Sequence, residues 1–118
     1  TRGVDPPPTA PTTMTFGTLR IDVSSRTVSI DGAEVALTAK EFDLLALLAG
    51  SPRQVFSRNQ LLEQVWDSSS DYQDRATVTV HVGRLRQKLE QDPEHPRWIA
   101  TVWGIGYRFE PETQPDAD

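Results

Sequence analysis

The chain has 118 residues, of which 36% are hydrophobic, and this is enough for one domain with a buried core but not for two. The absence of cysteine excludes disulfide bonds and cysteine-based zinc sites, and two histidines so far apart predict no metal site. No apolar run approaches the roughly 18 residues of a membrane-spanning helix, so no membrane partner is expected.

The formal net charge is −5, yet the basic side chains are concentrated in one part of the chain. Residues 75–109 carry six lysines and arginines against three acids, whereas residues 1–74 carry six against ten. The local distribution of charge says more about binding to a charged partner than the net charge of the chain does. The basic segment is therefore a candidate surface for a polyanion, and an ordinary solvated helix face is the alternative.

Two flanking segments are not expected to join the core. Residues 1–13, rich in proline and threonine, are interpreted as a flexible interdomain linker, and residues 112–118 as a disordered acidic tail. The folded domain is therefore predicted at residues 14–111. No leader of charged and then apolar residues is visible, and the lack of cysteine fits a reducing, cytoplasmic location.

Residues 14–37 predict a small antiparallel sheet. Apolar residues alternate in LRIDV and in TVSI, which is the pattern of half-buried strands. Asp31-Gly32 is a strong signal for a two-residue hairpin, and SSR marks a further turn.

Two short helices are predicted next, and each begins with a capping box. Thr38 and Glu41 have the spacing at which two side chains satisfy two orphan backbone amides, and Ser57 and Gln60 repeat this arrangement. A hydrophobic pair flanks each cap, and Gly50-Ser51-Pro52 ends the first helix.

The segment RATVTVHVGRLRQKLE, residues 75–90, contains two conflicting patterns. TVTVHV alternates like a strand, but this alternation fails at Gly83 after six residues. As a helix, the segment aligns four apolar side chains within about 60° of one another: Val78, Val82, Leu85 and Leu89. This stripe covers the whole segment, so a helix is predicted despite the weak helix propensity of its β-branched residues.

The face opposite this stripe carries residue types that read DNA. Val80 can meet thymine methyl groups, Gly83 permits close approach, and Arg84 can donate to guanine O6 and N7. His81 and Arg86 flank this face and could hold phosphates, although a partly buried, satisfied His81 is the plain alternative. The residues opposite the stripe are Thr77, Val80, Arg84, Gln87 and Lys88.

The last two apolar runs, RWIATV and YRFE, predict a pair of strands. The hairpin between them is Trp103-Gly104-Ile105-Gly106, and Asp92-Pro93 and Pro96 separate them from the third helix.

Three motifs, in this order, resemble the DNA-binding effector domains of OmpR/PhoB-type response regulators. LTAKEFDLLALLAGSPRQVFSRNQLLEQVW resembles the family's first two helices, TVHVGRLRQKLE its recognition helix, and TVWGIGYRF its wing. The resemblance covers about residues 16–110. It implies an α+β fold, a winged helix-turn-helix with an N-terminal antiparallel β-sheet, three helices and a C-terminal β-hairpin wing.

The resemblance implies sequence-specific binding of double-stranded DNA by a transcription factor of a two-component system. The recognition helix, about residues 75–91, would enter the major groove, and the wing, about residues 98–109, would reach the minor groove. The implied base contacts are Thr77, Val80, Arg84 and Arg86. The implied backbone and wing contacts are Arg58, Trp66, His81, Lys88, Thr101, Trp103 and Tyr107, with core packing as the alternative for Trp66 and Tyr107.

The resemblance also implies several partners. A receiver domain and a cognate histidine kinase are expected outside this chain, and two copies of the domain are expected in tandem on direct-repeat DNA. The polar loop 67–74 corresponds to the family's RNA polymerase contact, through Asp67, Asp71 and Tyr72. No cofactor is implied.

The sequence departs from the family pattern at three positions. Arg75 lies one residue further from His81 than the corresponding arginine of many relatives, and Gly83 replaces a common basic residue. Trp103 stands where many relatives have an arginine that enters the minor groove. A lower electrostatic contribution to DNA affinity is therefore expected than in more basic members.

Two other classes of function fit the sequence less well. No nucleophile motif, glycine-rich phosphate loop or metal-ligand spacing frames the acids, serines and His81, so an enzyme is not expected. A winged-helix module that binds protein without binding DNA is the alternative, and the acidic total and the Gly83 and Trp103 departures favour it.

Overall fold

The computed structural model describes residues 13–66 and 75–111. Within them a four-stranded sheet, three helices and a terminal hairpin confirm the predicted winged-helix class. In chain order the elements are β1 (Thr13–Phe16), β2 (Leu19–Asp22), β3 (Thr27–Ile30), β4 (Ala33–Val35), α1 (Ala39–Gly50), β5 (Phe56–Ser57), α2 (Arg58–Trp66), α3 (Arg75–Leu89), β6 (Ile99–Val102) and β7 (Gly106–Phe109).

The N-terminal sheet has the antiparallel order β1-β2-β3-β4. Its inward side chains include Leu19, Ile21 and Val28, which are almost completely buried. The turn between β3 and β4 is the one expected at Asp31-Gly32, where the φ angles are 55° and 85°. Two consecutive positive φ angles are what a type I′ turn requires, and this turn fixes the register of β3 and β4.

Both predicted capping boxes are present. The Thr38 hydroxyl accepts from the Glu41 amide at 3.2 Å, and the Glu41 carboxylate accepts from the Thr38 amide at 3.0 Å. Ser57 and Gln60 form the same reciprocal pair before α2, at 2.8 and 3.0 Å. Each box satisfies two amides that the start of a helix leaves without a partner, so α1 and α2 begin where the sequence predicts.

The segment with conflicting patterns is a helix. The four stripe residues predicted from the sequence are the buried residues of α3: Val78, Val82, Leu85 and Leu89. Val80, which is 47% exposed, lies on the solvent side together with Gly83 and Arg84. The stripe therefore turns the other face of α3 outward, as predicted, although α3 ends at Leu89 and not at residue 91.

The wing belongs to a second sheet, whose third strand the sequence did not predict. β5 pairs with β7, and β7 with β6. A Cβ at Gly106 would lie 1.9 Å from the Phe56 carbonyl oxygen, so only glycine fits this pairing. The buried Glu90 carboxylate accepts the backbone amides of residues 97–99 and ties the end of α3 to the start of β6.

A buried carboxylate joins α1 to α3, and no sequence pattern predicted this link. Glu41 is 1% exposed and receives the Lys88 ammonium at 2.6 Å in addition to its capping bond. Burial raises the pKa of Glu41, but hydrogen bonds from Lys88 and Thr38, with the charges of Lys88 and His81, outweigh it. The net pKa therefore lies below the ordinary value, and Glu41 is ionised at neutral pH.

We expect Glu41→Gln to lower the free energy of unfolding at pH 7 by about 1–3 kcal/mol, because glutamine keeps the capping box but leaves Lys88 without its counter-charge. A carboxyl group whose pKa is lowered by folding stabilises the native state above its unfolded-state pKa. That stabilisation is lost as the pH falls through the lowered native pKa. Urea unfolding of the wild type should lose stability below about pH 4.5, and the variant should lose less.

The matched control is Asp43→Asn, which breaks the exposed pair between Arg26 and Asp43 at 2.9 Å. Because solvent screens this pair, its loss should cost less than about 1 kcal/mol. An identical pH dependence in the wild type and in Glu41→Gln would contradict a lowered pKa of Glu41 in the folded domain.

Gly83 has no structural reason within the domain to be glycine. It lies inside α3, its φ is not left-handed, and a Cβ there would meet nothing within 4 Å. We expect Gly83→Ala to raise the free energy of unfolding by about 0.5–1 kcal/mol, since alanine loses less backbone freedom in a helix. Gly32→Ala is the opposite control, because its φ of 85° strains any side chain. Urea unfolding measures both, and a destabilised Gly83→Ala would contradict the open surface described.

Candidate nucleic-acid interface

The exposed face of α3 is the centre of the candidate interface. Val80, Gly83 and Arg84 are exposed, and Thr77, one turn before, is half-buried. An exposed valine beside an exposed glycine and an arginine offers an apolar contact, a close backbone approach and a forked donor on one surface. These are three of the features that major-groove reading uses, and three of the four predicted base contacts, Thr77, Val80 and Arg84, lie together.

A groove lies between α3, the start of α2 and the wing. Its volume is about 330 Å³, and Arg58, Thr79 and Trp103 are among its lining residues. Arg58 is the exposed first residue of α2, so its guanidinium and the amides of a helix start lie at the same edge. This edge can receive an anion such as a phosphate.

The tip of the wing is apolar. Gly104 has a φ of 82°, and the Ile105 amide donates to the Val102 carbonyl at 2.9 Å, which closes a tight turn. Trp103 is 88% exposed and Ile105 is 55% exposed. Trp103 was predicted from the sequence as a wing contact, but Ile105 was not. The position of Ile105 between two turn glycines was its only sign of exposure.

Arg86 does not join the exposed face, contrary to the expectation that it reads a base. Its Nε and Nη2 donate to the Ile99 carbonyl at 3.1 and 2.8 Å, and Nη2 also donates to the Thr101 hydroxyl at 2.7 Å. The guanidinium carbon lies 5.6 Å from the centre of the Tyr107 ring. Burial lowers the pKa of Arg86, and Tyr107 and Glu90 act against that effect. The guanidinium is thus occupied within the domain.

Lys88 is also occupied within the domain, although a phosphate contact was expected for it. Its ammonium forms the ion pair with the buried Glu41 described above. The helix geometry is the reason for both outcomes, because residues beside an apolar stripe face the neighbouring elements that the stripe packs against. The placement of Lys88 opposite the stripe was wrong: at 100° per residue it lies about 90° from the centre of the stripe, on the side that faces α1.

His81 and Trp66 form one unit at the junction of α2 and α3. Their ring centres are 4.8 Å apart at an interplanar angle of 76°, and the His81 Nδ1 lies 2.9 Å from the Thr77 carbonyl oxygen. Lys40 donates from its ammonium to the Val65 carbonyl at 2.8 Å, and this ammonium lies 6.0 Å from the centre of the Trp66 ring. With Nδ1 donating to a carbonyl, Nε2 is the ring nitrogen left for a phosphate, to which it can donate only when both ring nitrogens carry a proton.

The two remaining wing residues differ in exposure. Tyr107 is only 7% exposed, so core packing is its main role. Thr101 is half-buried, and its oxygen accepts from Arg86. A hydroxyl that accepts one hydrogen bond keeps its own proton to donate. Asp67, Asp71 and Tyr72 lie outside the described residues.

The part of the chain that the structure describes contains no cluster of three or more metal-binding side chains. None of its helices has both the length and the apolar content to cross a bilayer.

Known proteins match this chain along most of its length. A family model described as "Transcriptional regulatory protein, C terminal" matches residues 32–109. The DNA-binding response regulator MtrA of Mycolicibacterium smegmatis is 48% identical over 98 residues, which cover 83% of this chain and 42% of MtrA. The transcriptional regulatory protein ResD of Bacillus subtilis is 46% identical, over 82% of this chain and 40% of ResD. The chain thus spans about two fifths of the curated relatives it matches.

Solved structures match the fold as well. The response regulator DrrB of Thermotoga maritima, an OmpR/PhoB homologue, has a TM-score of 0.79 at 37% identity, over 84% of this chain and 44% of DrrB. The RstA DNA-binding domain of Klebsiella pneumoniae, solved in complex with its RstA box, has a TM-score of 0.76 at 39% identity, over 84% of this chain and 97% of that domain. The chain therefore belongs to the family of transcriptional regulatory C-terminal domains, the winged-helix effector domains of OmpR/PhoB-type response regulators, and it is not an enzyme.

Proposed function

We propose that this domain binds a specific sequence of double-stranded DNA, with α3 in the major groove and the wing at the minor groove. The observation that carries the proposal is the exposed face of α3, where Val80, Gly83 and Arg84 have no packing role inside the domain. The relative RstA was solved with its own DNA box, which supports the same mode of binding here.

We divide the proposed contacts into two classes by where their side chains lie. Thr77, Val80 and Arg84 are the proposed base readers, since they share the outward face of α3. The proposed phosphate contacts surround that face: Arg58, His81, Thr101, the half-buried Trp66, and Tyr107 where it lines the groove beside Arg58. Arg86 and Lys88 are left out of both classes, because their charged groups are bonded to protein atoms.

A protein-binding module is the second candidate function. The observation in its favour is the apolar tip of the wing, where Trp103 and Ile105 are both exposed. Salt dependence separates the two candidates: displacement of DNA counterions makes affinity fall steeply with salt, whereas an apolar protein contact is much less sensitive.

The partners of the whole regulator follow from the family and are proposed on that basis. They are a receiver domain, a cognate histidine kinase and a second copy of this domain in tandem on direct-repeat DNA. RNA polymerase is the proposed target of loop 67–74, whose three acids and lack of basic residues suit a basic surface. A regulator with these partners acts in the cytoplasm.

We expect Arg84→Ala to weaken binding to a specific duplex by about 1–3 kcal/mol and to weaken random DNA much less, because a guanine contact is made only at the right base pair. The specific duplex is selected from a randomised library with the wild-type chain. Binding is measured by fluorescence anisotropy at several salt concentrations.

The matched control for Arg84 is Arg97→Ala, which removes the same charge from an exposed arginine that packs on Trp98, away from the face of α3. Its effect on the specific and random duplexes should be small and equal. Equal losses on both duplexes in Arg84→Ala would reassign Arg84 to a phosphate. A wild-type chain that selects no site would contradict the proposed function itself.

We expect Trp103→Arg to raise DNA affinity and to steepen the dependence of log K on log salt by about one unit, because arginine brings a charge into the minor groove. The gain should be largest on sites flanked by A-tracts, where the groove is narrow. Gln91→Arg adds the same charge after the end of α3 and is the control. If Trp103→Arg behaves like the control in the same titration, the wing tip stays outside the groove.

A further inference from the structure

We propose that Arg86 is a positioning residue that fixes the direction of the wing relative to α3 and makes no contact with DNA itself. The proposal rests on the DNA-binding function proposed above, because the wing position matters only if the wing meets a ligand. It assigns to Arg86 a role that neither its charge nor its place in the recognition helix predicts.

The contacts of Arg86 reach both strands of the wing. Two guanidinium nitrogens donate to the Ile99 carbonyl, and one of them also donates to the Thr101 hydroxyl, so two positions of β6 are held at once. The guanidinium carbon lies over the Tyr107 ring, 5.6 Å from its centre, and Tyr107 belongs to β7. One side chain of α3 therefore holds the whole hairpin by hydrogen bonds on one strand and ring contact on the other.

A second residue of α3 holds the hairpin at its base. Glu90 lies four residues after Arg86, on the same side of the helix, and its carboxylate accepts the amides of residues 97–99. Two separated attachments fix an angle, which one attachment cannot do. Because Thr101 lies two residues before Trp103, the Arg86 attachment is the one nearer to the tip, and it controls where Trp103 points.

Arginine and lysine differ in the way that this role requires. Two parallel donors and a flat face are needed to reach Ile99, Thr101 and Tyr107 together, and a lysine ammonium has neither. A phosphate, in contrast, accepts a lysine as a point charge. Arg86→Lys therefore removes the attachment while it keeps the charge that a direct DNA contact would need.

The test is a double-mutant cycle of Arg86→Lys and Trp103→Ala on the selected duplex. If Arg86 acts through the wing, Arg86→Lys should weaken binding by about tenfold in the wild-type background and by clearly less once Trp103 is removed, the remaining loss coming from Thr101, the other proposed wing contact that Arg86 holds. Equal losses in both backgrounds would overturn the proposal, and so would no loss in the wild-type background. Arg97→Lys is the control, because Arg97 also packs on a ring, that of Trp98 at 4.7 Å, but leaves the wing untouched.

A measurement on the protein without DNA tests the positioning role of Arg86 independently of the proposed DNA binding. Residual dipolar couplings of backbone amides report whether β6 and β7 share one rigid frame with α3. They should fit one frame in the wild type and require a second, averaged frame for the wing in Arg86→Lys. Thr101→Val, which removes one acceptor without changing charge, should give a smaller change of the same kind. Unchanged couplings in both variants overturn the positioning role even if DNA binding is intact.

Discussion

The burial of one apolar stripe on α3 is the constraint on which the interface depends. Val78, Val82, Leu85 and Leu89 are all 3% exposed or less. Burying a side chain of this size stabilises a fold by roughly 1.5–3 kcal/mol, whereas a good base contact is worth about 1–3 kcal/mol. The four together therefore outweigh any single DNA contact, and the core fixes the rotation of α3 about its axis. Packing inside the domain therefore decides which side chains of α3 are exposed to the proposed DNA partner.

The same rotation explains why the most basic segment of the chain offers less charge to DNA than its composition indicates. Arg86 and Lys88 lie beside the stripe, so the wing and α1 receive their charged groups. Arg108 lies in β7 and pairs with Glu110 at 2.6 Å. Arg84 and Arg58 are the exposed cations placed in the proposed interface, and Arg75 is exposed at the start of α3. With few exposed cations, the proposed binding of DNA depends more on shape and apolar contacts than on the release of counterions.

Local sequence patterns predicted most of the fold, but they did not predict contacts between residues that are far apart in the chain. The capping boxes, the Asp31-Gly32 turn and the stripe of α3 each lie within a few residues, so spacing alone reveals them. The bond between Glu41 and Lys88 joins residues 47 positions apart, and Arg86 reaches Thr101 across 15. From their charge and their position on the helix, Lys88 and Arg86 were both predicted to contact DNA. A single sequence does not show which charged side chains form ion pairs or hydrogen bonds inside the domain.

The wing is braced between the two helices of the helix-turn-helix unit. β7 pairs with β5, which leads directly into α2. The two strands lie so close that a Cβ added at Gly106 would be 1.9 Å from the Phe56 carbonyl oxygen. β6 is held from the other side by Glu90 and Arg86 of α3. A change in the angle between α2 and α3 must therefore move the wing. In the proposed binding mode, helix and wing meet DNA as one preorganised surface, which lowers the entropy lost on binding and makes the spacing between their contacts part of the specificity.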